Sequence, residues 1–322
     1  MSAAELEVQG LTKHFAVGSA VRRSRLHAVD DVSFALRAGT VTALVGESGS
    51  GKSTVARILA RLMEPTTGTI LFRGDTPGDE LRYRSEVQII FQDPFDSLNP
   101  VKTIGHHIER PLRIHKVVPS DQVEGRVHEL LATVGLYPPA EIAAKYPHEL
   151  SGGQRQRVAI ARVLGVEPKV ILADEPTSML DVSIRIGILN LMRRLAEDRG
   201  IAFLYVTHDL AAARYVADDI LVMYAGQIVE QGPIEEVLAE PLHPYTRLLL
   251  SAAPDPANLA PPAHIERTGG RAAAAVEPAE GCRFLPRCPL AVAICSEVTP
   301  QLVEPHSGHA ARCHVTAPSP TT

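Results

Sequence analysis

A chain of 322 residues with 45% hydrophobic content can form one large domain or two, each with a real core. Its formal net charge of −5, lack of tryptophan and few aromatics give it neither a general affinity for nucleic acid nor a base-stacking surface. The opening MSAAELEVQGLTKHF has early acids and no apolar h-region, and the most apolar pieces, VILA and IAFLYV, are strand-sized, so neither a signal peptide nor a membrane span is expected. A soluble cytoplasmic protein, free to dock onto a membrane partner, fits this composition.

In chain order, residues 4–15 and 28–45 alternate apolar and polar positions as strands do. VGSAVRRSRLHA between them, with Arg22, Arg23 and Arg25, reads as a solvated hairpin loop. A helix is expected over 52–63 and strands over 67–73 and 86–91. Residues 101–148 change character. Ser120 reads as an N-cap, and Val123, Val127, Leu130, Leu131 and Val134 follow at helical spacing, which predicts a helical insertion. Val170–Ala173 and Phe203–Val206 are short apolar runs of the buried, parallel-sheet kind, separated by helical patterns at 154–165 and 184–198. That alternation predicts an α/β fold with a mostly parallel sheet. From about Pro254 the composition turns to Pro, Ala and Gly, a linker-like tail that ends in a short piece holding every cysteine.

Three motifs carry chemistry. GESGSGKST (Gly46, Glu47, Ser48, Gly49, Ser50, Gly51, Lys52, Ser53, Thr54) follows the apolar strand VTALV and opens a helix, the context in which the P-loop pattern has a mechanism. Backbone N–H groups wrap phosphates, Lys52 reaches the β- and γ-phosphates, and Ser53 ligates Mg²⁺. VILADEP puts Asp174 at the C-terminal edge of a parallel sheet, where ligands bind, as a Mg²⁺-shell carboxylate. Glu175 beside it is a candidate general base. HELSGGQRQR places Ser151, Gly152 and Gly153 at a helix start, a second anion site far along the chain from the first.

Taken together these residues resemble the nucleotide-binding subunits of ABC transporters, over essentially the whole chain. GESGSGKST looks like Walker A, Gln92 in IIFQDP like the Q-loop glutamine, LSGGQ (Leu150 to Gln154) like the signature, and ILADEP like Walker B, with Glu175 at the catalytic glutamate position. SMLD, ending at Asp181, resembles the D-loop with Met179 in place of alanine, and His208 in VTHD sits at the switch-histidine position. Phe15 occupies the place of the aromatic that stacks on adenine. The resemblance implies a head-to-tail dimer in which Ser151, Gly152, Gly153 and Gln154 contact ATP held by the other subunit. The partner is a paralogous ATPase or a second copy of this chain.

FQDPFDSLNP, HPYTRLLLSAAP (His243 to Pro254) and the four-cysteine tail look like the oligopeptide/dipeptide/nickel importer branch. The insertion has no sustained heptads and the chain holds one cassette, unlike DNA-repair and translation members, which with exporters form the alternatives. The branch implies two membrane permeases, an extracytoplasmic binding protein, no nucleic-acid partner and a place on the cytoplasmic face of the membrane. Residues near Gln92 and Asp93 are then expected to face a permease. The expected organisation is a cassette over 1–253, with an antiparallel β subdomain and a helical subdomain at about 93–150, and an extension over 254–322. In the tail, Cys282, Cys288, Cys295 and Cys313 have no C-x2–4-C knuckle of the structural-zinc kind, and a reducing cytoplasm disfavours disulfides. The resemblance points to a [4Fe–4S] cluster, with zinc as the alternative and free thiols after it; His306, His309 and His314 read as surface residues.

Overall fold

The computed structural model describes residues 4–19, 22–93, 97–252, 275–276, 280–306 and 308–317. The linker reading of 254–274 and residues 94–96 of FQDPFDSLNP lie outside them.

The chain opens with a long antiparallel hairpin, β1 (Ala4–Ser19) and β2 (Arg22–Arg37). The expected loop is thus mostly strand, since His14, Phe15 and Val17 find cross-strand partners in His27, Leu26 and Ser24. Next come β3 (Val41–Val45), α1 (Lys52–Leu59), β4 (Thr67–Phe72), α2 (Glu80–Glu86) and β5 (Val87–Ile90). The insertion contributes α3 (Ile104–Ile114), α4 (Val123–Thr133) and α5 (Pro139–Ala144). Ser120 does not cap α4: Gln122 holds that position with no side-chain cap, because a turn closed by the Gln122 N–H on the Pro119 carbonyl comes first. The chain continues with α6 (Gly152–Leu164), β6 (Val170–Asp174), α7 (Val182–Arg199), β7 (Ala202–Thr207), α8 (Leu210–Val216), β8 (Asp219–Tyr224) and β9 (Gln227–Pro233). After α9 (Ile234–Ala239) and α10 (Pro244–Ala252) the described chain ends in β10 (Ala275–Val276), β11 (Val303–His306) and β12 (His309–Ala311).

One sheet has the order β10-β2-β1-β4 and its pairings are antiparallel; the other runs β11-β12-β9-β8-β3-β7-β6-β5, with a parallel block from β8 to β5. The central strands are buried on both faces, and their alternation sorts two cores. Val41, Ala43, Val45, Phe203 and Tyr205 pack with the helices α6 to α8, while Leu44, Leu204 and Val206 pack with α1 and the antiparallel sheet.

The cysteine-bearing segment is docked on this framework. β12 pairs with β9, so the main sheet runs on into the extension. Phe284 is buried in the core beside Tyr224 and Tyr245. Glu230, fully buried on β9, accepts the backbone N–H groups of Leu242 (2.7 Å) and His243 (2.9 Å) and pairs with the His309 ring (2.7 Å). His309 is therefore an interior residue, contrary to its surface reading. His314 is partly exposed, and the side chain of His306 lies outside the described residues.

Candidate nucleotide site

Four adjacent parallel strands, β3, β7, β6 and β5, deliver the motif residues to their shared C-terminal edge. The loop 46–51 leaves β3, His208 follows β7, Asp174 ends β6 with Glu175 after it, and Gln92 lies just past β5. In doubly wound sheets this edge is where ligands bind.

The loop is shaped by close backbone contacts. At Gly51, with φ 109°, a Cβ would stand 2.1 Å from the Ala28 carbonyl oxygen, so only glycine fits there. Lys52 is buried and donates to the carbonyls of Gly46 (2.8 Å) and Glu47 (2.9 Å). Burial pushes its ammonium pKa down, opposed by the carboxylates of Glu175, Asp174 and Glu47. Asp174 is raised, chiefly by burial, with the Ser53 hydrogen bond opposing. The Ser53 hydroxyl donates to Asp174 Oδ1 at 2.8 Å, and Ser50 Oγ is buried without a partner among the described residues. A desolvated ammonium, a desolvated carboxylate and an orphaned hydroxyl at one loop suit a polyanion carrying a cation.

Glu175 collects the neighbouring strand ends. Gln92 Nε2 donates to its Oε2 at 3.2 Å, and His208 Nδ1 lies 3.2 Å from its Oε1. Glu175 itself has φ 45°, a left-handed conformation rare for this residue type, fixed by its N–H on the Val206 carbonyl and by Ser178 on its own carbonyl.

Ser151 and Gln154 stand apart in this network. They form a reciprocal capping box at the start of α6, Ser151 Oγ accepting from the Gln154 N–H (3.3 Å) and Gln154 Oε1 from the Ser151 N–H (3.0 Å). A Cβ on Gly153 would meet Ile184 Cγ2 at 2.4 Å, whereas on Gly152 it would sit 3.6 Å from Leu180 Cδ2. The signature thus packs on α7 and its preceding turn, where Asp181 holds the N-cap position. Phe15 is half-buried on β1, with the Lys13 ammonium 5.4 Å from its ring centroid.

The chain is similar to the probable peptide ABC transporter ATP-binding protein y4tS of Sinorhizobium fredii, at 44% identity over 329 residues, 99% of this chain and 92% of that protein. It belongs to the ABC transporter ATP-binding proteins. The family description "ABC transporter" matches residues 29–178, and "Oligopeptide/dipeptide transporter, C-terminal region" matches residues 229–295. The oligopeptide transport ATP-binding protein AppF of Bacillus subtilis is 41% identical, over 96% of this chain and 97% of that one. Among solved structures, the ATP-binding cassette MJ0796, a dimer in a post-hydrolysis state bound to ADP and Pi, is matched with a TM-score of 0.61 and 32% identity over 71% of this chain and 98% of that one. The cassette cbiO1 of Clostridium perfringens, part of the complex cbiONQ, gives 0.63 and 31% over 74% and 92%. As an ABC ATPase this chain has the expected α/β fold, and among the described residues no helix is long and apolar enough to cross a membrane.

Two features of this ABC ATPase escaped the motif reading. Tyr245 of HPYT donates no group to the ligand edge but accepts the Glu47 N–H at 2.9 Å, and Arg287 pairs with the Glu47 carboxylate. The close, tilted rings of His14 and His27 (3.7 Å between centroids) sit beside Asp30, within metal-ligand reach, yet Arg283 already occupies that carboxylate. The four cysteines gather in one place. The Cys282 N–H donates to the Cys295 carbonyl at 2.8 Å, and burial raises the Cys282 thiol pKa with Cys295, Cys288 and Cys313 adding to it. No three of these sulfurs lie mutually within 4.8 Å among the described residues. Thiolates on one zinc, at about 2.3 Å each, would stand only ~3.8 Å apart.

Proposed function

We propose that this chain hydrolyses ATP to power an importer of peptides or chemically related small solutes. The observation that carries the reading is the convergence of Lys52, Ser53, Asp174, Glu175, Gln92 and His208 at one sheet edge, in a chain whose relatives are described as peptide-import ATP-binding proteins.

Residues Gly46 to Thr54 hold the triphosphate, with Phe15 against the adenine. Lys52, buried and held by two loop carbonyls, exchanges them for the β- and γ-phosphates. Ser53, Gln92 and Asp174 are the residues that would hold Mg²⁺, which neutralises charge developing on the phosphates. Glu175 takes the proton of the attacking water, and His208 orients that water and the γ-phosphate. Ser151 to Gln154, held on α6 and α7 rather than on this chain's own loop, serve the nucleotide of a second ATPase across a head-to-tail dimer with Asp181 at its seam. That partner is a paralogue or another copy of this chain.

A cleft of about 510 Å³ between the end of β5 and α3, lined by Ile89, Phe91, His107, Arg110, Pro111 and Ile114, suits a short permease helix. Its lining residue Phe91 directly precedes Gln92 in the chain, so a permease seated there contacts the neighbour of the residue that touches Glu175. The working assembly then has two permeases, sits on the cytoplasmic face of the membrane and is fed by an extracytoplasmic binding protein. In the extension, Cys282, Cys288, Cys295 and Cys313, which lack a C-x2–4-C knuckle in sequence, are assigned to a [4Fe–4S] cluster, with zinc as the alternative. Such a group staples a segment with little core of its own.

Purification of the tagged chain from detergent-solubilised membranes tests the assembly. Two multi-span proteins and a second ATPase should co-elute, and deleting the gene should stop peptide uptake. Tight nucleic-acid binding with no membrane partner would overturn the reading.

A further inference from the structure

The turn from Cys282 to Cys288 carries two arginines four positions apart, and both reach back to the phosphate loop. Arg287 forms a two-pronged contact with the Glu47 carboxylate, at 2.9 Å and 3.2 Å, and its guanidinium lies 5.8 Å from the Tyr224 ring centroid and 5.9 Å from that of Phe284. Fork geometry of this kind fixes direction as well as charge. The backbone of Glu47 is held too. Its N–H donates to Tyr245 Oη at 2.9 Å, and its carbonyl accepts from Lys52. Arg283, only 8% exposed, bonds the Asp30 carboxylate and the Ala225 carbonyl. The neighbouring Gly226 then donates its N–H to the Ser50 carbonyl at 2.9 Å. The cysteine turn therefore grips the phosphate loop near its start and near its middle.

We propose that Arg283 and Arg287 are positioning residues for nucleotide binding: the cysteine turn braces the phosphate loop in the shape that receives the triphosphate. A loop whose backbone N–H groups must converge on one anion binds tightly only if it is ordered beforehand; otherwise ATP bears the ordering cost. The same contacts give the extension a route to the ATP site, since any change that reshapes the turn pulls on Glu47 and Ser50. The inference rests on the reading of residues 46–54 as the ATP site.

The test is ATP titration of the purified full chain by calorimetry, with circular dichroism as the check on folding. Arg287→Ala should raise the Kd for ATP by roughly 5-fold or more, and Arg283→Gln should act in the same direction. Arg287→Lys, which keeps the charge and loses the fork, should fall between. Glu47→Gln should weaken binding as well, and the double variant Arg287→Ala/Glu47→Gln should be no worse than the weaker single. In the assembled transporter Arg287→Ala should raise KM for ATP while kcat at saturation stays, a split that a general loss of folded protein would not give. A folded Arg287→Ala with wild-type Kd, or effects of Arg287 and Glu47 that simply multiply, overturns the brace. Should Arg287→Ala fail to fold, wild-type affinity in both Arg287→Lys and Glu47→Gln overturns it equally. A wild-type chain that fails to bind ATP sinks the site assignment instead.

Discussion

His243, the first residue of HPYT, should make this protein acid-sensitive in a way one substitution removes. It is 1% exposed, its Nδ1 accepts the Tyr245 N–H at 3.0 Å, and its ring packs 5.5 Å from that of Phe284. Burial pushes its pKa down to about 3. The native state keeps the imidazole neutral, because a proton on Nδ1 would confront the Tyr245 N–H. The unfolded chain takes up that proton near the ordinary value of about 6.5. Stability from this residue is therefore complete above about pH 6.5, is lost as pH falls below it, and stops falling only below the native pKa. At pH 5 the unfolded state is favoured by a factor of about 30 from this group alone, or ~2 kcal/mol relative to pH 8. His243→Asn places an amide oxygen near the Nδ1 position and cannot titrate. Urea unfolding of both proteins from pH 8 to pH 5 should show the wild type losing ~2 kcal/mol more than the variant. Parallel curves would show that His243 is not a buried neutral acceptor. Because Tyr245 also accepts the Glu47 N–H, the same acidification should loosen the phosphate loop.

Ser151→Arg and Gly152→Asp should abolish ATP turnover in the assembled transporter while the isolated chain still binds ATP; loss of binding in a folded variant would place the signature at its own nucleotide. Gly152 has room for a side chain, and the lost cap at Ser151 costs only about 1 kcal/mol, so both should fold. Anaerobic purification should give a brown protein with visible charge-transfer absorbance that Cys288→Ser removes, whereas a colourless protein with stoichiometric zinc would replace the cluster and keep the staple.

Much of this architecture could be read locally. Val170–Ala173 and Phe203–Val206 are apolar throughout because both faces of those strands are covered, and Asp174 and His208 announce the strand ends by being polar just after them. The phosphate loop was equally legible, since its glycine, lysine and serine spacing is local and Lys52 is held by the carbonyls of Gly46 and Glu47 a few positions before it. Ser120 misled because a capping residue type is compatible with a turn that precedes the helix as well as with the helix itself. His309 and Arg287 were beyond sequence reasoning for a different reason. Their partners, Glu230 and Glu47, are 79 and 240 positions away, and nothing in SGHAARCH or GCRFLPRCP records which carboxylate the fold will bring to them. The arginine pair stood in a segment whose cysteines drew the chemical reading.

The most direct test of the central claim is the chemistry of Glu175. Glu175→Gln keeps the shape of the side chain and its contact with Gln92, and removes the proton acceptor. In the assembled transporter this variant should bind ATP at wild-type stoichiometry and hold the two ATPase subunits closed, while phosphate release falls by at least about 100-fold. Hydrolysis at a rate near that of the wild type would contradict the account, because the base would then have to be another group.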